Sequence, residues 1–181
     1  PAGDDVREGI LRGMYRYRKT ELSTRRAKGR AHLLGSGAIL NETLKAQRIL
    51  AEDYGVAADV WSVTSYNERY HMLNPGQTRR PYVETLLAKE KGVFVAATDY
   101  LRVLPAAIAR WFPGPLHVLG TDGFGRSDGR AQLRDFFEVD ARYITLAALH
   151  ELARVGELDL AVARKAVKDL DIDPGKLNPL V

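Results

Sequence analysis

Residues Gly120 to Asp128, Gly-Thr-Asp-Gly-Phe-Gly-Arg-Ser-Asp, place three glycines, two carboxylates, one guanidinium and two hydroxyls in nine positions. They follow the apolar stretch PLHVL and precede the amphipathic RAQLRDFF, so they read as a strand exit and a helix entry. A turn of this composition can cradle a phosphate, ligate a metal, present an acid–base pair, or only connect two elements. A second glycine turn, Gly35-Ser36-Gly37, closes the apolar stretch Ala31–Leu34.

Each chemical template can be tested on spacing. A dinucleotide fingerprint begun at Gly35 and Gly37 requires a glycine at position 40, where Leu40 stands. The phosphate loop of nucleotide hydrolases requires Gly-Lys-Ser or Gly-Lys-Thr, and the sequence contains neither. An esterase elbow around Ser36 requires glycine where Leu34 stands. A calcium loop fails because Phe124 and Arg126 fill ligand-like places. His150-Glu151 opens a zinc-protease pattern, yet Arg154 occupies the place of the second histidine.

His32 and His117 lie in apolar stretches and read as hydrogen-bonded structural histidines, and His71 stands apart from both. Asp122 and Asp128 have the chemistry for acid–base work. Alternatively, Asp122 stabilises the turn through its own backbone, and Ser127 or Asp128 caps the helix that follows. The residues by themselves describe a scaffold without an active site.

The elements that must position these turns alternate. Strands are expected at Ala31–Leu34, Ala58–Val63, Val93–Thr98 and Pro115–Gly120. Between them, Leu40, Leu44, Gln47, Leu50 and Tyr54 recur at helical spacing up to the stop Gly55. A second helix is expected over Arg80–Gly92 with Pro81 near its start. A third is marked by Leu101, Leu104, Ile108 and Trp111, with Pro105 in its first turn. Beyond Asp128 the pattern is helical: Leu133, Phe136 and Phe137; then Ile144, Ala148, Leu152 and Val155 up to Gly156; then Ala163, Ala166, Val167 and Leu170. This order implies an α/β fold, a doubly wound three-layer sandwich on a mainly parallel sheet. Ligands in such folds bind beyond the carboxyl ends of the strands, where both glycine turns lie. The expected organisation is one domain: a basic helix and linker over 1–30, an alternating core over 31–128 and a helical end over 129–181.

Composition narrows the function classes. The chain of 181 residues is 45% hydrophobic and 28% charged, ordinary for a globular protein. It has no cysteine, which excludes disulfides and thiolate metal sites. Apolar runs are far shorter than the ~20 residues a membrane span needs, and the expected location is cytoplasmic. Residues 1–30 hold nine basic against four acidic residues, a net +5 in a chain of net +4. With Tyr15 and Tyr17 inside it, that arm could follow a phosphate backbone; the plainer expectation is a solvated helix and linker, with nucleic acid an unlikely partner.

A set of ordered segments resolves what the templates leave open: LLGSG, ILAEDYGVAADVWSVTSYNE, TDYLRVLP, LGTDGFGRSD and HELARVGELD. Together they resemble the carboxy-terminal domain of the bacterial homodimeric pyruvate dehydrogenases, relatives of the transketolases, from about Val6 to Pro179. The resemblance implies a decarboxylating oxidoreductase that uses thiamine diphosphate and magnesium and reductively acetylates a lipoyl group. It implies as partners the enzyme's preceding domains, a homodimer mate and the dihydrolipoyl acetyltransferase core. The cofactor motif of that family is Gly-Asp-Gly with an asparagine some two dozen residues on. Here Thr121-Asp122-Gly123 is followed by no asparagine before Asn178, so no catalytic, cofactor or metal residue carries over to this chain. The turn Gly120, Thr121, Asp122, Gly123, Phe124, Gly125, Arg126, Ser127, Asp128 is then a structural turn or domain interface. In that role Gly123 and Gly125 would permit positive φ, and Arg126 would meet a carboxylate across the interface or stay solvated. The family carries about ten more residues between Glu68 and Arg69, a deletion or an omitted loop here, and Pro1 suggests a fragment. The alternative reading is a stand-alone phosphate-ligand or nucleotide-binding α/β module, using helix amino termini at the glycine turns.

Overall fold

A strand buried on both faces needs apolar cover above and below it, and the sequence supplies that cover in alternation. The computed structural model describes residues 3–23, 26–66 and 80–180. Five strands, β1 (Met14–Arg18), β2 (Arg30–Ser36), β3 (Ala57–Val63), β4 (Val93–Ala97) and β5 (Leu116–Leu119), form one sheet in the order β1-β3-β2-β4-β5. β2 to β5 run parallel, and β1 pairs antiparallel with β3 at one edge. The helices are α1 (Asp4–Leu11), α2 (Leu40–Tyr54), α3 (Tyr82–Leu87), α4 (Val103–Ala106), α5 (Arg130–Phe136), α6 (Ala141–Arg154) and α7 (Leu160–Asp169).

The two-residue period sorts the strands' side chains. Leu33, Val60 and Val95 join a core with Leu50 of α2, Ile144 and Leu149 of α6 and Ala166 of α7. Leu34, Trp61 and Phe94 point the other way, toward Val83 and Leu87 of α3 and toward Ile108 and Phe112. The mainly parallel sandwich expected from the sequence is therefore the fold. From β2 the chain steps outward to β3, then returns past β2 to β4. That reversal puts the topological switch at the carboxyl ends of β2 and β4, where Ser36 Oγ and Thr98 Oγ1 share a buried 2.7 Å hydrogen bond.

Four local expectations are corrected. The stretch read as basic helix and linker contains β1, because Met14 is fully buried against the sheet and Arg16 stacks 4.5 Å from the Trp61 ring. Its outward charges are those of an edge strand. The helix marked by Leu101 to Trp111 is only α4 and a single turn at Ala109–Trp111, and Leu101 and Leu104 are exposed rather than core. α3 stops at Leu87, short of Gly92. Val155 flanks the end of α6 and is exposed, since the buried face of that helix finishes at Leu152.

No helix among the described residues is long and apolar enough to cross a membrane. Pro1, Arg25, His71 and the Glu68–Arg69 junction lie outside the described residues. The burial of Met14 makes a test of β1. Met14→Ala is expected to cost about 2–4 kcal/mol in urea unfolding, and Tyr17→Ser, on the exposed side of the same strand, under ~1 kcal/mol. Equal effects would remove β1 from the sheet.

Candidate functional site

The Gly120–Asp128 turn emerges at the carboxyl end of the sheet from β5; of the other glycine stretch, Gly35 and Ser36 are the last residues of β2, and only Gly37 lies beyond it, opening a single turn before α2. In the Gly120–Asp128 turn, Thr121 and Asp122 are bound within the chain. Thr121 donates its N–H to the Tyr100 carbonyl at 3.0 Å and its hydroxyl to the Asp99 carbonyl at 2.9 Å. Asp122 accepts from the Arg102 backbone N–H at 2.8 Å with one oxygen and from Arg102 Nε at 2.6 Å with the other. The Arg102 side-chain hydrogen bond, with its backbone N–H adding to it, holds the Asp122 carboxyl below its usual value against a burial effect that raises it. The turn is thus clipped to the loop after β4, twenty residues earlier, and not to its own backbone as the sequence suggested.

Gly123 carries φ +93°, and a Cβ there would lie 2.7 Å from the Pro179 carbonyl oxygen, so the tail packs where only glycine fits. Gly125 is outside the left-handed region and has open space around it, so the expectation of positive φ holds for Gly123 alone. The cap of α5 also differs: Gly129 is the N-cap, Asp128 accepts only from the Gly129 N–H, and Ser127 plays no part in it. Arg126 lies 4.0 Å over the Phe136 ring, a cation–π contact within the chain. Phe124 projects from the turn, 92% exposed.

Between the start of α2 and the Gly120–Asp128 turn lies a cavity of about 610 Å³ lined by Ala38, Asp99, Thr121, Gly125 and three arginines. Of those arginines, Arg134 is bound to Glu42 at 2.8 Å and Arg126 is stacked on Phe136. Asp99 and Asp128 face the same space, so the remaining Arg130 meets two carboxylates. Nor do the residues present fit a magnesium-bound diphosphate, since both oxygens of Asp122 are committed to Arg102.

One cluster was invisible in the sequence. His32, Asp59 and Glu90 bring possible ligand atoms within 4.8 Å of one another. All are spoken for. Asp59 accepts from Arg30 Nη2 and from the Thr20 N–H, each at 2.9 Å, and Arg16 binds both Asp59 and Glu90. His32 Nδ1 accepts the Trp61 indole N–H at 3.2 Å, which assigns Nε2–H to the Lys91 carbonyl at 3.0 Å. Two guanidinium groups supply the positive charge a cation would bring. Burial keeps the His32 imidazole below its usual value, and the ring is the structural histidine that was expected. Arg16, Arg30 and Arg12, which pairs with Glu8, are likewise drawn from the basic arm into ion pairs.

His117 Nδ1 lies 3.1 Å from Glu151 Oε1, and Arg154 holds the other oxygen at 2.8 Å. Burial alone would raise the Glu151 carboxyl; the hydrogen bonds from His117 and Arg154 outweigh it and bring it below its usual value. The would-be zinc motif is a strand-to-helix tie.

Comparison with known proteins follows the same lines. The family model of the transketolase-like TK C-terminal domain matches residues 13–140. The chain is 44% identical over 184 residues to the pyruvate dehydrogenase E1 component of Pseudomonas aeruginosa, covering 96% of this chain and 20% of that protein. It is 43% identical over 187 residues to the Escherichia coli K12 pyruvate dehydrogenase E1 component, covering 97% of this chain and 20% of that one. The chain therefore spans about a fifth of the length of these relatives. Transketolase from Leishmania mexicana superposes with a TM-score of 0.57 at 14% identity, over 81% of this chain and 19% of that one. Transketolase from Campylobacter jejuni gives 0.55 at 18%, over 78% and 19%. At these identities the two structures show the fold alone.

Two measurements follow from the geometry. Asp122→Ala is expected to cost about 1–2 kcal/mol at pH 7. Because the folded value of Asp122 is lowered, its contribution is complete above the unfolded value of ~3.9. It fades as pH falls through the folded one, so wild type and variant should converge in acid; a gap that persists there removes the ion pair as its cause. For His32, NMR titration should find a midpoint below 6.5, with stability lost as pH falls below 6.5 because the unfolded chain takes up the proton first. A midpoint at or above 6.5 overturns the buried neutral ring.

Proposed function

The chain belongs to the family of transketolase-like carboxy-terminal domains, and from that premise we propose that it is the carboxy-terminal domain of a pyruvate dehydrogenase E1 component. In the intact enzyme pyruvate is decarboxylated and its two-carbon unit reductively acetylates a lipoyl group. Thiamine diphosphate and magnesium belong to the preceding domains. The role of this domain is to pack against those domains, to help the homodimer assemble, and so to support an enzyme that serves the acetyltransferase core of its complex.

The observation that carries the reading is the state of the Gly120–Asp128 turn. Its Asp122 carboxylate is taken up by Arg102 and its Thr121 hydroxyl by the Asp99 carbonyl, and Phe124 between them and the helix stands 92% exposed. A turn fixed in this way supports packing. The relatives of matching sequence that bear the E1 name support the choice of enzyme.

The test begins with the natural polypeptide. A chain of 20.1 kDa that is 20% of a relative's length scales to roughly 100 kDa, the band expected from an antibody to this domain in a lysate of its source. That species should decarboxylate pyruvate with thiamine diphosphate and magnesium, and the 181-residue chain alone should not. A natural product near 20 kDa, or turnover by the isolated chain, overturns the proposal.

A further inference from the structure

Large apolar side chains left exposed are unevenly distributed. Among the described residues there are twelve, and seven come from three segments: the loop after β4 with the start of α4, the β5–α5 turn and the tail. Tyr100, Leu101, Val103 and Leu104 follow β4, Phe124 tips the β5–α5 turn, and Leu177 and Leu180 lie in the tail. The other five are spread over α1, β1, the end of α6 and the start of α7. Three independent contacts hold the loops together: Thr121 N–H on the Tyr100 carbonyl, Asp122 on Arg102, and Gly123 against Pro179. At Gly120 a Cβ would lie 2.7 Å from the Tyr100 oxygen, which shows how closely the first two loops approach.

The contacts bring the segment after β4, the turn and the tail alongside one another, and each carries exposed apolar side chains. An exposed aromatic side chain on such a surface has the features of an interface anchor. Phe124 itself lines neither of the cavities that border the turn at Asp122 and at Gly125. Nucleic acid is disfavoured because Arg102, a cation of the patch, is already neutralised by Asp122, and Arg126 is stacked on Phe136. What is left to cover the surface is protein. The E1 relatives are about five times the length of this chain, so some four fifths of a homologous polypeptide must meet it somewhere.

We propose that this three-loop surface is the face by which the domain is seated on the remainder of its own longer polypeptide, with Phe124 inserted into an apolar recess there. The inference rests on the reading of the chain as one domain of a larger enzyme and adds which face of it is covered.

The experiment uses the natural full-length polypeptide, its Phe124→Ser variant, and Tyr17→Ser as a control on an exposed aromatic of β1. Hydrogen exchange of residues 100–104 and 120–128 should be slow in the wild type and at least tenfold faster in Phe124→Ser. Limited proteolysis should release a carboxy-terminal fragment of about 20 kDa from that variant first. Tyr17→Ser should match the wild type in both. Fast exchange at these loops in the wild type, or a Phe124→Ser variant that behaves like it, overturns the inference while a roughly 100 kDa active enzyme would leave the proposed function standing. Conversion of a dimer to monomers by Phe124→Ser, with the domain still protease-resistant, would assign the face to a second copy and also overturn it. A natural polypeptide near 20 kDa removes both readings at once.

Discussion

The burial of β2 on both faces is the constraint from which the rest follows. Six of its seven residues are buried, and its neighbours β3 and β4 are buried throughout. A polar side chain on these strands has no water to turn to, and each one left unpaired would cost about 1–3 kcal/mol. His32 therefore sits between a Trp61 donor and a Lys91 acceptor, Ser36 is joined to Thr98, and Asp59 lies against Arg16 and Arg30. The last arrangement ties in the edge strand as well, because Arg16 comes from β1. One carboxylate in the middle of the sheet recruits a whole strand from the basic arm.

The same constraint decides where chemistry could be. With the sheet's interior closed to water, polar groups that could serve a ligand in this fold are expected at the carboxyl ends of the strands, where the Gly120–Asp128 turn lies. Yet Thr121 and Asp122 bind the loop after β4, and the glycine at 123 lets the tail close over the turn. The result is a turn tied to two neighbouring segments with Phe124 standing out from it, a surface suited to being packed against.

Periodicity made the sandwich legible in the sequence, because a buried parallel strand is a nearly continuous apolar run and its covering helix repeats every 3.6 residues. The glycine turns were legible too, and with them the family. β1 was hidden because a short edge strand carries its charges outward and only Met14 and Arg16 reveal its inner face. The His32–Asp59–Glu90 cluster was hidden because its members come from three elements, with Arg16 and Glu90 separated by 74 positions. Asp122 was recognised as a turn residue, but its partner lies across a neighbouring loop. Local hydrogen-bonding rules name the residue type a turn prefers; they carry no information about which neighbouring loop the fold will bring alongside.

The anion-binding reading of the same turns fails on charge rather than on shape. The cavity beside the Gly120–Asp128 turn is roomy, at about 610 Å³, and opens at the start of α2, where unpaired backbone N–H groups favour an anion. Against that stand Asp99 and Asp128 within the lining and the loss of Arg134 to Glu42. A phosphate entering would meet two carboxylates, Asp99 and Asp128, and two guanidiniums, Arg126 and Arg130, so attraction and repulsion nearly cancel. Phosphate sites in doubly wound sheets succeed when the glycine turn is accompanied by a lysine or arginine with no competing acid nearby. Here the acids are part of the turn's own architecture: Asp128 orders the approach to α5 through Gly129, and Asp99 stands beside Gly37.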